Sequence, residues 1–182
     1  DEAHNLVDRG REMFSAEIKK NAYLDLRRQL PVELPLMARS LAAVNAQFLA
    51  LLKIDKPGFA QAGYRVIPEL PQRLVQAVRK FTLAAEDWLQ QNQVADFSEE
   101  LLPLYFDSLR FLRIAETFDQ HYNCLMIERP QGVAMKLFNV NPGPGLAEGF
   151  RRVNAAVAFS ATLMPQTYFQ ALMGIEADAS WY

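Results

Sequence analysis

Cysteine and histidine are scarce in this sequence: one of the first, Cys124, and two of the second, His4 and His121, among 182 residues. A single thiol excludes an internal disulfide, a Cys-rich zinc site and a four-cysteine iron–sulfur cluster built from this segment alone. Cys124 reads as a buried apolar residue in a reducing compartment, and the expected location is cytoplasmic. An excess of charge is missing too, since 19 basic against 21 acidic side chains leave a net charge of −2. Contact with nucleic acid must then come from a local patch rather than from bulk charge. No apolar run approaches the roughly 20 residues that span a bilayer, so no membrane role is expected. The acidic, polar opening from Asp1 to Gly10 lacks the basic start and apolar middle of a secretory signal. It does not begin with Met, which fits an internal piece of a longer protein.

With 51% hydrophobic and 22% charged residues the balance is that of a soluble globular protein. The length suits one domain, or one compact insert attached to part of another. Four segments carry helical periodicity. Asn5 to about Leu30 is broken near Ser15 to Asn21 and ended by Pro31 and Pro35. From Pro35 to Leu52, the residues Met37, Leu41, Val44, Phe48 and Leu51 form one stripe, and Leu74, Val78, Phe81, Ala85 and Trp88 repeat it between Pro71 and Asn92. The stretch from Asp55 to Pro68 reads as a loop. The fourth segment runs from Ser98, a good N-cap, to about His121, and its apolar residues cover more than one side. It should therefore be the middle helix, flanked by the two stripes.

After Tyr122 the pattern changes. Cys124 to Glu128 and Val133 to Val140 read as a hairpin turning at Arg129-Pro130-Gln131-Gly132. Asn141-Pro142-Gly143-Pro144-Gly145 is a rigid break, because its two prolines remove the backbone donors a phosphate-cradling loop needs. A short helix from about Leu146 to Asn154 then precedes Ala155 to Phe159, a continuous apolar run of the kind seen in a parallel strand buried on both faces. The fold class is mainly α with a small β part (α+β).

Two short motifs carry chemistry. In Asp1-Glu2-Ala3-His4, one carboxylate can reach a hydrated Mg²⁺ while the next orients and deprotonates a water in line with a γ-phosphate. The same acidic cluster opening a helix is also simply favourable with the helix dipole. Ser160-Ala161-Thr162 places two hydroxyls directly after the apolar run, where they can bond to a carboxylate or imidazole, or merely form a turn.

Taken in this order, Asp1-Glu2-Ala3-His4-Asn5-Leu6 and Phe159-Ser160-Ala161-Thr162-Leu163 resemble motifs II and III of the XPD-like and DinG-like superfamily 2 DNA helicases. In that family a helical arch domain is inserted between the two motifs, and the long span from His4 to Ser160 matches it. The resemblance implies a helical arch-type insert at residues 21–121, attached to an incomplete RecA-like motor domain made of residues 1–20 and 122–182. It implies that Asp1 holds Mg²⁺ through water, that Glu2 is the general base for ATP hydrolysis, and that His4 relays the nucleotide state to Ser160 and Thr162. ATP and Mg²⁺ belong to the full-length protein, and an iron–sulfur cluster would lie upstream. No Gly-x-Gly-Lys-Thr loop is present, so this piece by itself should be catalytically silent.

The expected partner is single-stranded or duplex DNA. Its candidate contacts are the basic pairs Arg27 with Arg28, Arg79 with Lys80, and Arg110 with Arg113, near Tyr23, Phe81 and Phe111. Charged outer faces of helices explain such pairs equally. The competing reading is a helical module that docks a protein partner, and a third is a helical bundle with a coincidental acidic motif. The third predicts that His4 and Ser160 lie far apart.

Overall fold

Two apolar stripes at helical spacing must find a common partner face, and they find each other. Helix α3 (Pro35–Ile54) packs along α4 (Gln72–Leu89), with Met37, Leu41, Val44, Phe48, Leu74, Val78, Phe81 and Ala85 buried. The structure is a computed structural model that describes residues 2–54, 63–91 and 95–175. Most of the expected loop, residues 55–62, lies outside the described residues. Contacts divide the chain into two units. One gathers the residues up to Ser15, Asp119–Asn123 and those from Phe138 onward; the other comprises Ala16–Phe118 and Cys124–Leu137.

The second unit is helical with a sheet on its flank. Helix α2 (Lys20–Gln29) ends where Leu30 turns extended ahead of Pro31, as the clash between a proline ring and the preceding residue requires. It packs on α3, and α5 (Ser98–Glu116) packs on α4 and α2. The middle helix is therefore α4, not α5 as the sequence suggested. The reason lies in breadth: α4 buries Leu74, Val75, Ala77, Val78, Phe81, Thr82, Ala85 and Trp88, whereas α5 leaves Leu102 and Phe106 exposed.

Strands β1 (Ala16–Lys19), β2 (Tyr64–Ile67), β3 (Tyr122–Arg129) and β4 (Gly132–Asn139) form one antiparallel sheet in the order β1-β4-β3-β2. The hairpin β3–β4 was legible, but β1 and β2 were not. The helical stretch breaks at Ser15 to Asn21 because four of those residues pair with β4, Ala16 opposite Leu137 and Ile18 opposite Met135. This pairing also groups hairpin residues 124–137 with the helices rather than with the C-terminal segment. Gly132 closes the turn at φ 117, and Asn21 donates to the carbonyl of Gln131; only glycine takes that backbone region at little cost. Ala16, Ile18, Cys124, Met126, Met135 and Leu137 form the buried face.

Helix α3 amends one expectation. Pro35–Lys53 is long and apolar enough, by length and composition, to cross a membrane, with mean hydropathy 1.3. Its stripe is nevertheless spent against α4 and α2.

The first unit holds a 3-10 turn at Ala3–Asn5, α1 (Leu6–Met13), α6 (Gly143–Phe150) and α7 (Gln166–Met173). Val7, Phe169 and Met173 form its buried cluster, with Leu6, Leu163, Leu172 and Ile175 packed around it. Helix α6 begins inside the Pro-Gly stretch rather than after it. Asn141 Oδ1 accepts the Gly143 N–H at 3.0 Å, and Pro144 sits early in the helix, where its missing donor costs nothing. Gly145 lies against the Phe14 ring so closely that a Cβ there would meet it at 2.5 Å.

The expected buried strand is absent. Residues 155–159 are not in a strand, and all are exposed, Val157 at 87% and Phe159 at 60%. A run buried on both faces needs a paired neighbour on each edge. Here the described backbone bond of this run is from Ala3 N–H to Phe159 O, 3.3 Å.

Candidate functional site

The 3-10 turn that opens the chain is short because Asn5 N–H closes it on Glu2 O at 2.9 Å. It holds three polar side chains in sequence, Glu2, His4 and Asn5. Asn5 Nδ2 donates to Glu2 Oε2 at 2.9 Å, and the guanidinium of Arg9, one turn into α1, stands 3.9 Å from the same oxygen. Both fix a carboxylate that is otherwise exposed. Asn5 and Arg9 were not assigned roles from sequence; their spacing of three and seven residues from Glu2 is the helical signal that finds them.

His4 points the other way in chemistry. Its Nδ1 and Ser160 Oγ share a part-buried hydrogen bond of 2.8 Å across 156 positions of sequence. The hydroxyl donates when Nδ1 is bare, and Nδ1–H donates when the ring carries its proton there. Thr162 closes the cluster: its Oγ1 lies 3.4 Å from Ser160 Oγ, and its N–H donates to that oxygen at 3.5 Å. The Ala3 to Phe159 backbone bond runs alongside, so the opening turn and the late hydroxyl segment are joined by main chain and side chain together. The coincidental-motif reading required these residues to lie far apart, and they touch. Asp1 lies outside the described residues.

Beside this contact is an open groove of about 410 Å³, lined by Ala3, Leu6, Phe150 and residues 156–159, with Glu2 and Arg9 at its rim. Among the described residues no three His, Cys, Asp or Glu side chains converge.

The basic pairs separate into different groups. Arg28 is bound by Asp25 at 3.0 Å and Arg79 by Glu116 at 3.1 Å. Arg27, Lys80, Arg110 and Arg113 are exposed. The aromatics expected to stack beside them are core residues: Tyr23, Phe81 and Phe111 are each fully buried. Tyr23 is spent on a 2.7 Å bond to Ser108 and an edge-on contact with Phe81 at 5.4 Å. Its phenol is pushed up by burial, against the lowering effect of the Ser108 bond.

His121, which gets no metal role from sequence, stands beyond the end of α5. Its backbone N–H and its Nδ1 both reach Asp119, at 2.8 and 2.9 Å. The imidazole bond holds the Asp119 carboxyl below its ordinary range, against partial desolvation. Cys124 is buried with its Sγ 3.2 Å from Met135 Sδ, and burial pushes its thiol up to about 12, far from the reactive thiolate range. Neither a protein-family model nor a curated protein sequence matches this chain.

Proposed function

We propose that the chain is the segment of an ATP-dependent DNA helicase running from its acidic Walker B motif to its Ser-Ala-Thr motif, with an arch-type helical insert between them. The observation that carries this reading is the His4–Ser160 hydrogen bond at 2.8 Å. It joins the two motifs the resemblance rests on, at the closest possible range, across the length of the insert. In this reading the first unit is part of a RecA-like motor domain, and the helical unit clamps single-stranded DNA. The whole protein is cytoplasmic.

The nucleotide itself is not accounted for by these residues. Glu2 is engaged by Asn5 and faced by Arg9, and no phosphate loop occurs in the sequence. Bound Mg²⁺ and ATP would supply the phosphoryl chemistry in the full-length protein, and no hydrolytic step is derived from this chain. Its own residues do something else. A shift of the turn that carries Glu2 must move His4, and His4 is bonded to Ser160, which leads through Thr162 and Pro165 into α7. The turn and that helix therefore respond together.

The test is a double-mutant cycle in the protein that carries this segment. His4→Ala and Ser160→Ala each leave nucleotide binding intact and uncouple hydrolysis from unwinding, and the double variant is no worse than the more severe single one. Independent, additive effects would remove the coupling role. The 182-residue chain alone shows no Mg²⁺-dependent phosphate release; turnover lost on Glu2→Gln would contradict the reading. A protein-docking role for the helical unit is favoured by one observation, the exposure of Val32 at 92% and Leu36 at 72%.

A further inference from the structure

The outward pole of α5 breaks the rule its neighbours obey. Positions 99, 102, 106, 110 and 113 share one helix face by their spacing of three and four. That face lies opposite the buried row of Leu101, Leu104, Ser108, Phe111 and Leu112. Such a pole is ordinarily polar throughout. Here Leu102 is 41% and Phe106 61% exposed, and the exposed Arg110 and Arg113 follow in the next two turns. The ring of Phe106 leans on Tyr105, centroids 5.5 Å apart and tilted 60°, which limits its freedom before any ligand arrives. With a helical rise of about 1.5 Å per residue, Arg110 and Arg113 stand roughly 6 and 10 Å beyond it along the axis.

We infer that this ridge is a contact for single-stranded nucleic acid, with one base stacked on Phe106 and the adjoining phosphates on Arg110 and Arg113. The inference rests on the clamp role proposed for the helical unit and names the side chains that perform it. Charge complementarity selects the ligand. A flat apolar group must meet the ring while anionic groups follow on one side only, because Glu99 occupies the other end of the same face. A sugar-phosphate strand supplies both at regular intervals, and stacking on a phenyl ring tolerates any base. The pairs Arg28–Asp25 and Arg79–Glu116 are held within the chain by carboxylates, which leaves the α5 ridge as the place where cationic and aromatic surface coincide.

Fluorescence anisotropy of dye-labelled oligo(dT), titrated with the 182-residue chain at several salt concentrations, tests this. Phe106→Ala weakens binding roughly 5- to 150-fold, Phe106→Trp retains it, and Arg113→Ala lowers the slope of log affinity against log salt by about 0.7. Both positions are exposed, and an unchanged helical circular-dichroism signal verifies that the variants fold. If the unaltered chain binds oligo(dT) and Phe106→Ala binds it equally, the ridge assignment falls while the clamp reading stands. If the unaltered chain does not bind oligo(dT), both fall. Capture of an acidic peptide in place of oligo(dT), lost in Phe106→Ala, would overturn the assignment in favour of a protein partner.

Discussion

In the helical unit Tyr23, Phe48, Phe81, Leu101 and Met126 are withdrawn from water almost completely, whereas the unit carrying the two motifs leaves Val153, Val157 and Phe159 more than half exposed. The first is held by apolar side chains interlocked across α2, α3, α4 and α5. The second has a small cluster around Val7, Phe169 and Met173, and its remaining order comes from polar bonds made over long sequence separations. His4 to Ser160 is one such bond. Asn139 N–H to Ser15 Oγ, 2.9 Å, is another, and Ser15 donates in turn to Arg11 O at 2.6 Å. Apolar packing is non-directional and tolerates small errors in position, while hydrogen bonds specify position and are costly when half made. The unit that packs well is thus suited to be a stable body, and the one that bonds precisely is suited to register small displacements.

That contrast can be broken at three places of decreasing consequence. Phe81→Ala opens a cavity at the junction of α2, α4 and α5 and removes the edge-on contact with Tyr23. It should cost about 3–5 kcal/mol, read as a lowered urea midpoint of the helical signal. Ser15→Ala leaves the buried Asn139 N–H without its acceptor. A loss of about 1–3 kcal/mol is expected, seen as faster hydrogen exchange at Asn139 and along α1, with the amides of α4 unaffected. Equal acceleration in α4 would show that the two units open as one.

The smallest effect is electrostatic. Asp119 is exposed and its carboxyl is held low by His121, so its contribution is present above the ordinary carboxylate pKa and is lost as pH falls through the depressed value. Acid titration should show a slight weakening confined to that window, abolished in Asp119→Asn. Solvent screening keeps it near the limit of measurement.

How much was readable beforehand follows the same divide. Every residue of the α4 stripe named from spacing is buried, as are Met37, Leu41, Val44 and Phe48 of α3, because helical periodicity is a local property of the chain. Strands β1 and β2, of four residues each, were not found. Tyr64-Arg65-Val66-Ile67 carried the right residue types, but its pairing with β3, Val66 opposite Leu125, is made at a distance of some 60 positions that no local pattern reports. Helix α7 was missed although Pro165 precedes it and Gly174 ends it in the left-handed region, the usual asymmetry of helix ends. For the candidate site, the residue types were legible and the geometry was not. Asn5 and Arg9 around Glu2 were within one or two turns and open to inference, yet a hydroxyl at position 160 carries no mark of which imidazole it meets.

By itself the sequence determined the helices, their buried faces, the hairpin and the two polar motifs, since periodicity, turn chemistry and residue type act over a few positions. Only the tertiary structure decided that α4 lies in the middle, that residues 155–159 are exposed rather than sheeted, and that His4 bonds Ser160. Each of these depends on contacts between segments far apart in the chain, where the free energy of packing and of long-range hydrogen bonding overrides local preference.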